Sequence, residues 1–202
     1  WGKDRYDKLD SEMMFTVCGC QTVSFDHLKI TDGYTGRVIF EGSFEEIKDR
    51  LHPEKKLKKT GYIENGSYIF TVDHKGQCYK STIPFTPEKH SKINLTSEWL
   101  SGENYYYGLV LEQDDENYYA FELSSDGKAC FILRRNGENE IFAGNIETGL
   151  NTTSGNSVLQ SVLFKGNTIE YYVNEKLVLT EETYLNSVNS VGFRVCGTQS
   201  VS

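Results

Sequence analysis

The chain has 202 residues with 38% hydrophobic and 25% charged content, which suits one generous globular domain and argues against disorder. Its formal net charge is -8, a field that repels phosphate backbones, so nucleic acid is excluded as an expected partner. No stretch is long and apolar enough to span a bilayer, so membrane insertion is not expected.

Aromatic content is 13%, carried by 13 Tyr and 11 Phe, and only 3 Pro accompany many turn-forming residues. That mixture favours short strands joined by tight turns. Near the start stands "FTVCGCQTVSFDHLKI", residues 15–30, followed by the link "TDGYTG" at 31–36. "RVIFEGSF" (37–44) reads as a strand. One short helix is expected after Ser43, because Ser43 and Glu46 have capping-box spacing and Pro53 stops helical continuation. The basic run "EKKLKK" at 54–59 reads as a solvated loop.

"GSYIFTVD" (66–73) and "KINLTSEWL" (92–100) add two strands. "YYYGLVLEQ" (105–113), "NYYAFELS" (117–124) and "KACFILRR" (128–135) then read as three consecutive antiparallel strands. Ser125-Asp126-Gly127 supplies a three-residue loop whose Gly fits the left-handed position. "LQSVLFK" and "TIEYYVN" flank Gly166-Asn167, which suits a type II′ turn, and Asn174-Glu175-Lys176 leads into "LVLT". About a dozen short strands at this spacing predict an all-β, two-sheet antiparallel β-sandwich of jelly-roll type, with at most one or two short helices.

The chain ends on "FRVCGTQSVS" (193–202), which repeats Phe, Val, Cys, Gly, Gln, Val and Ser of residues 15–24 in order. The 178 residues separating Phe15 from Phe193 exceed any solenoid repeat and match one sandwich domain. The expected organisation is therefore a tandem array within a larger multidomain protein. Residues 1–30 would be the closing strands of a preceding unit, 31–36 a link, and 37–202 the sandwich. Residues 22–30 are expected to pair with the strand after Arg37, in the same chain or swapped between chains.

The runs "YYYGLVLEQDDENYYAFELSSDGKACFILRRNGE", "NSVLQSVLFKGNTIEYYVNEKLVL", "SVGFRVCGTQSVS" and "VSFDHLKI" together resemble the concanavalin A-like lectin/glucanase superfamily in its bacterial laminin G-like form. The resemblance covers about residues 37–202 plus the strand at 23–30. It implies a twisted jelly roll whose concave face often binds carbohydrate, while the matching positions are turns and core hydrophobes that say little about function.

Strand alternation sorts the faces. Tyr107, Leu109, Leu111, Tyr119, Phe121, Leu123, Phe131 and Leu133 share one parity and read as core. Tyr106, Glu112, Tyr118, Glu122, Arg134, Glu170 and Tyr172 take the other parity and are expected to face water or a groove. Loop lengths put Tyr118 opposite Arg134 and Glu112, and Glu122 opposite Cys130. Tyr rings offer apolar faces to pyranose C–H groups, while Glu and Arg hydrogen-bond hydroxyls, so Tyr106, Glu112, Tyr118, Glu122, Arg134 and Tyr172 are the candidate ligand-binding set. The competing reading is a cross-strand ladder in which Arg134 stacks on Tyr118. Trp99 is a second candidate platform.

Catalysis has weaker support. Glu112-Gln-Asp114-Asp-Glu116 has the spacing some glucanases of this fold use, but a turn over 114–116 would scatter the carboxylates. The variant trio Glu112, Glu122 and Glu170 lacks a surrounding motif. None of His27, His52, His74 and His90 neighbours a nucleophile with an orienting acid. No cofactor is expected; Asp114, Asp115, Asn117 and Asp126 offer oxygen ligands to calcium without a known loop spacing. The five cysteines include no C-x-x-C pair and no zinc spacing, and read as small buried hydrophobes. The sequons at Asn65, Asn94 and Asn151 carry no weight, and the compartment (cell surface, secreted or cytoplasmic) stays open. The sequence thus points to a non-catalytic recognition module with glycan or another protein domain as partner. A glycoside hydrolase is the alternative, and a structural spacer the third reading.

Overall fold

A computed structural model describes residues 14–15, 21–47, 52–53, 61–72, 79–88, 90–102, 106–150, 155–184, 188 and 190–196. In chain order the strands are β1 (Met14–Phe15), β2 (Gln21–Asp32), β3 (Val38–Ser43), β4 (His52–Pro53), β5 (Gly61–Glu64), β6 (Ser67–Val72), β7 (Tyr79–Pro84) and β8 (Ser91–Gly102). They continue as β9 (Tyr106–Asp114), β10 (Asn117–Ser124), β11 (Lys128–Arg135), β12 (Glu138–Glu147), β13 (Ser157–Lys165), β14 (Thr168–Val173), β15 (Lys176–Glu182) and β16 (Ser190–Cys196).

These form a two-sheet antiparallel β-sandwich of jelly-roll type. The first sheet runs β12-β11-β10-β9-β16-β1-β7-β4, and the second runs β15-β14-β13-β8-β2-β6-β5, with β3 also paired to β2. The one described helix, α1 (Phe44–Ile47), begins where expected: the Ser43 backbone N–H donates to Glu46 Oε2 at 2.9 Å. Pro53 lies in β4.

The turns explain the register. Gly127 closes the β10–β11 loop at φ +80°, where a Cβ would overlap the Leu150 carbonyl. Gly166 sits at φ +67° between β13 and β14, as a type II′ turn requires. Asn174 and Glu175 both adopt positive φ between β14 and β15. Two Asn-Gly pairs, Asn65-Gly66 and Asn136-Gly137, make the same left-handed reversal for β5–β6 and β11–β12.

The core lies between the sheets. Tyr107, Leu109, Leu111, Tyr119, Phe121, Leu123, Phe131 and Leu133 face it from the first sheet, all buried. Phe121 stands 4.9 Å from Phe131 and 5.4 Å from Tyr171 of the opposite sheet, ring centre to ring centre. The β2 strand is internal to the second sheet: it pairs with β8 on one side, and with β6 and β3 in succession on the other. Its alternation breaks between Phe25 and Leu28, where one extra residue bulges out. That bulge lets Phe25 and Leu28, three residues apart, both point inward with Val23 and Ile30. The two repeated phrases meet as well, since β1 and β16 pair in parallel with Phe15 opposite Phe193.

Candidate functional site on the outer face of the first sheet

Residues of the second parity on β9, β10 and β11 share the face of the first sheet turned away from the core. Register arranges them in rows. Glu112, Tyr118, Arg134 and Asn139 form the first, with the Ser190 backbone beside Glu112. Val110, Ala120 and Ile132 form the next. Gly108, Glu122 and Cys130 form the third, with the Arg194 backbone beside Gly108. Tyr106 and Ser124 begin a fourth.

The face is strongly curved. Tyr106 on β9 and Asn145 on β12 are three strand spacings apart, about 14 Å, too far for side chains standing upright on a flat sheet. Yet the Tyr106 hydroxyl donates to Asn145 Oδ1 at 2.8 Å, so the sheet wraps and this face is concave. Burial raises the Tyr106 phenol to about 12, aided by Cys130, Asp126 and Glu122 nearby, which keeps it a neutral donor near pH 7. At Gly108 a Cβ would overlap the Phe121 carbonyl and stand 2.8 Å from Oε1 of Gln160, a buried residue of the second sheet, so the sheets pack closely against the backbone there.

Of the set expected to face water or a groove, three members are not open to water. Glu112, Tyr118 and Glu122 are buried, and Tyr118 packs with Val110, Ala120, Cys130 and Ile132 in a second apolar cluster. The apolar row of Val110, Ala120 and Ile132 lies between the Glu112–Tyr118 and Glu122–Cys130 rows and packs with Tyr118 and Cys130, so the face is more apolar than parity alone suggests. Tyr106 and Arg134 are half-buried, and Asn139 and Asn145 are exposed. The Arg134 guanidinium lies 5.9 Å from the Tyr118 ring centre and donates from Nη1 to Asn139 Oδ1 at 3.1 Å. Cys130 is a buried free thiol.

A second correction concerns Glu170 and Tyr172. Ile169, Tyr171 and Val173 face the core from β14, so Glu170 and Tyr172 project from the outer face of the second sheet. They cannot share a site with Glu112 and Glu122. There Tyr172 donates to Glu170 Oε2 at 2.5 Å, and Lys165 Nζ donates to Oε1 at 3.1 Å. The Tyr172 hydroxyl bond, with help from Lys165, holds the Glu170 carboxyl below its ordinary range. The same bond pushes Tyr172 up to about 12. Period-two parity identifies a side of one strand but not which sheet that strand joins, which is why the sequence grouped them. Trp99 packs partly buried against the core.

The acidic run at 112–116 is divided by its turn. Glu112 is buried, whereas Asp114, Asp115 and Glu116 are exposed, and Asp114 Oδ1 accepts from Glu116 N at 2.9 Å and from Asn117 Nδ2 at 2.7 Å. Glu112 and Glu122 lie on adjacent strands four residues out of step, about 14 Å between Cα atoms, with the Val110–Ala120 row between them. The four candidate calcium ligands also part company: Asp126 follows the far end of β10, about 24 Å from Asn117. Among the described residues, no group of three or more His, Cys, Asp or Glu side chains could hold a metal ion.

Fold and face together define a jelly-roll β-sandwich with a curved, mixed polar and aromatic outer face. No family model matches the chain, and no curated protein matches it. Solved structures similar to it include a carbohydrate-binding module, CBM66, from Bacillus subtilis, with 12% identity and a TM-score of 0.37 over 53% of this chain and 83% of that one. Sheep galectin-11 in complex with glycerol is another, with 13% identity and a TM-score of 0.46 over 55% of this chain and 85% of that one.

Proposed function

We propose that this chain is a non-catalytic recognition module of a larger protein, of concanavalin A-like, laminin G-like kind, and that it binds carbohydrate on the concave face of the first sheet. The supporting observation is the first row. Arg134 is half-buried, stacked on Tyr118 and steered by Asn139, so its guanidinium is fixed in direction on this face, with Nε buried and unsatisfied. Tyr106 and Asn145 stand across the same face as a second polar pair. Directional donors over an aromatic floor are what sugar hydroxyls and C–H faces require. Glu112 and Glu122 serve as the buried polar floor.

The test is isothermal titration of the chain with cellohexaose, xylohexaose and N-acetylchitohexaose. Arg134→Gln should lower affinity at least about tenfold while leaving the unfolding midpoint nearly unchanged. Equal affinity in the variant, or no binding by wild type, rejects the reading.

One observation favours a spacer role in a tandem array: the duplicated phrases lie side by side, with Phe15 opposite Phe193. A spacer would bind none of these sugars.

A further inference from the structure

We propose that the β2–β3 end of the second sheet carries a separate sugar-contact site, in which the Tyr34 ring is the stacking platform and Lys92, packed beside Gly33, supplies a polar contact. Tyr34 is 87% exposed, the most open of the large hydrophobic side chains described. Its ring meets that of His90, and the loop backbone that carries it is held in place.

Three features hold the loop. Asp32 Oδ1 accepts from the backbone N–H of Tyr34 at 2.9 Å and of Thr35 at 2.8 Å. Asp32 N donates to Arg37 O, and Gly36 N donates to Asp32 O, each at 2.8 Å. Gly33 packs so closely beneath the tip that a Cβ would meet Leu163 Cδ1 at 2.5 Å and the His90 carbonyl at 2.8 Å. A ring on such a loop gives up little conformational freedom when a ligand covers it.

The surroundings supply the rest of a sugar site. The His90 ring lies 6.3 Å from the Tyr34 ring, tilted 43°, on a residue held at φ +75°. A non-glycine residue in that region is uncommon and is retained where the surrounding structure enforces it. Lys92 follows in the next strand, and the same cross-strand row runs Thr31, Lys92, Leu163, Glu170. Lys92 Nζ lies 5.7 Å from the Tyr172 ring centre, and Glu170 is oriented by Tyr172 and Lys165. Arg37 and Glu88 pair at 3.8 Å on the other flank. An open aromatic face bordered by an ammonium and an imidazole fits a pyranose ring, which presents C–H groups on one face and hydroxyls around its rim.

This inference takes its ligand class from the glycan reading, but its residues lie on the other sheet, so the two stand or fall separately. Wild type, Tyr34→Ala, Tyr34→Phe and Arg134→Gln are titrated with the same three hexasaccharides, and light scattering follows the mass. The expected result is two sugar sites per chain. Tyr34→Ala loses one, with affinity there falling at least about tenfold, and Tyr34→Phe keeps it within about twofold. Arg134→Gln removes only the concave site. Because Tyr34 is exposed, Tyr34→Ala folds as wild type does. Unchanged stoichiometry and affinity in Tyr34→Ala overturns the proposal, as does absence of binding by wild type. A dimer that Tyr34→Ala dissolves also overturns it, because the ring would then serve a second copy of the chain.

Discussion

Phe25→Ala tests whether the strand at residues 21–32 is an integral part of the sandwich. Phe25 is fully buried with Val23, Leu28 and Ile30, and its strand lies between β8 and β6 in the second sheet. Removing a buried phenyl ring costs about 3–5 kcal/mol. In a domain of this size each kcal/mol lowers the melting temperature by about 2–4 °C, so a fall of about 6–20 °C is expected. Asp26→Ala is the control, since Asp26 is exposed and accepts from Ser67 Oγ at 3.1 Å; a change of about 0.5 kcal/mol or less is expected there. Differential scanning calorimetry of both variants reads the contrast directly. A loss of less than about 2 °C in Phe25→Ala, or equal losses in the two, would refute the placement of this strand in the core.

Gly108→Ala should destabilise by more than about 2 kcal/mol in urea unfolding, because the new methyl group meets the backbone of β10 and the buried Gln160 amide. Tyr118→Ala should cost about 3–5 kcal/mol as loss of a buried ring, whereas Arg134→Gln, half-buried at the edge, should cost about 1 kcal/mol or less. Glu170 has a depressed carboxyl pKa in the folded state, so its contribution is fully present above the unfolded value and disappears as pH falls through the folded one. Tyr172→Phe removes the main cause of that depression. It should therefore cost about 1 kcal/mol above pH 5, by urea unfolding, and progressively less toward pH 3; a difference that grows on acidification contradicts the assignment.

Much of the first sheet was legible because its strands are contiguous in sequence and joined by turns with strict residue requirements. Gly127 fixes the loop length, and with it the pairing of Tyr118 with Arg134 and of Glu122 with Cys130. Asn65-Gly66 and Asn136-Gly137 carried the same information for two further hairpins, and each Asn-Gly pair is a sufficient signal in retrospect. What stayed hidden depends on long-range packing. Burial of Glu112 and Glu122 depends on how whole rows of the sheet pack together, which no local pattern encodes. Glu170 and Tyr172 share the parity of the concave set yet belong to the opposite sheet, because parity is a property of one strand. The Tyr34 platform went unnoticed for a related reason: "TDGYTG" reads as a link, and only the contacts of Gly33 with Leu163 and His90 reveal a fixed loop.

A crystal structure of the chain soaked with whichever hexasaccharide binds in titration would locate the sugar. The account requires density for a pyranose ring against Arg134 and Tyr106 on the curved face of the first sheet. Sugar bound only elsewhere, with that face bare at saturating ligand, would contradict it.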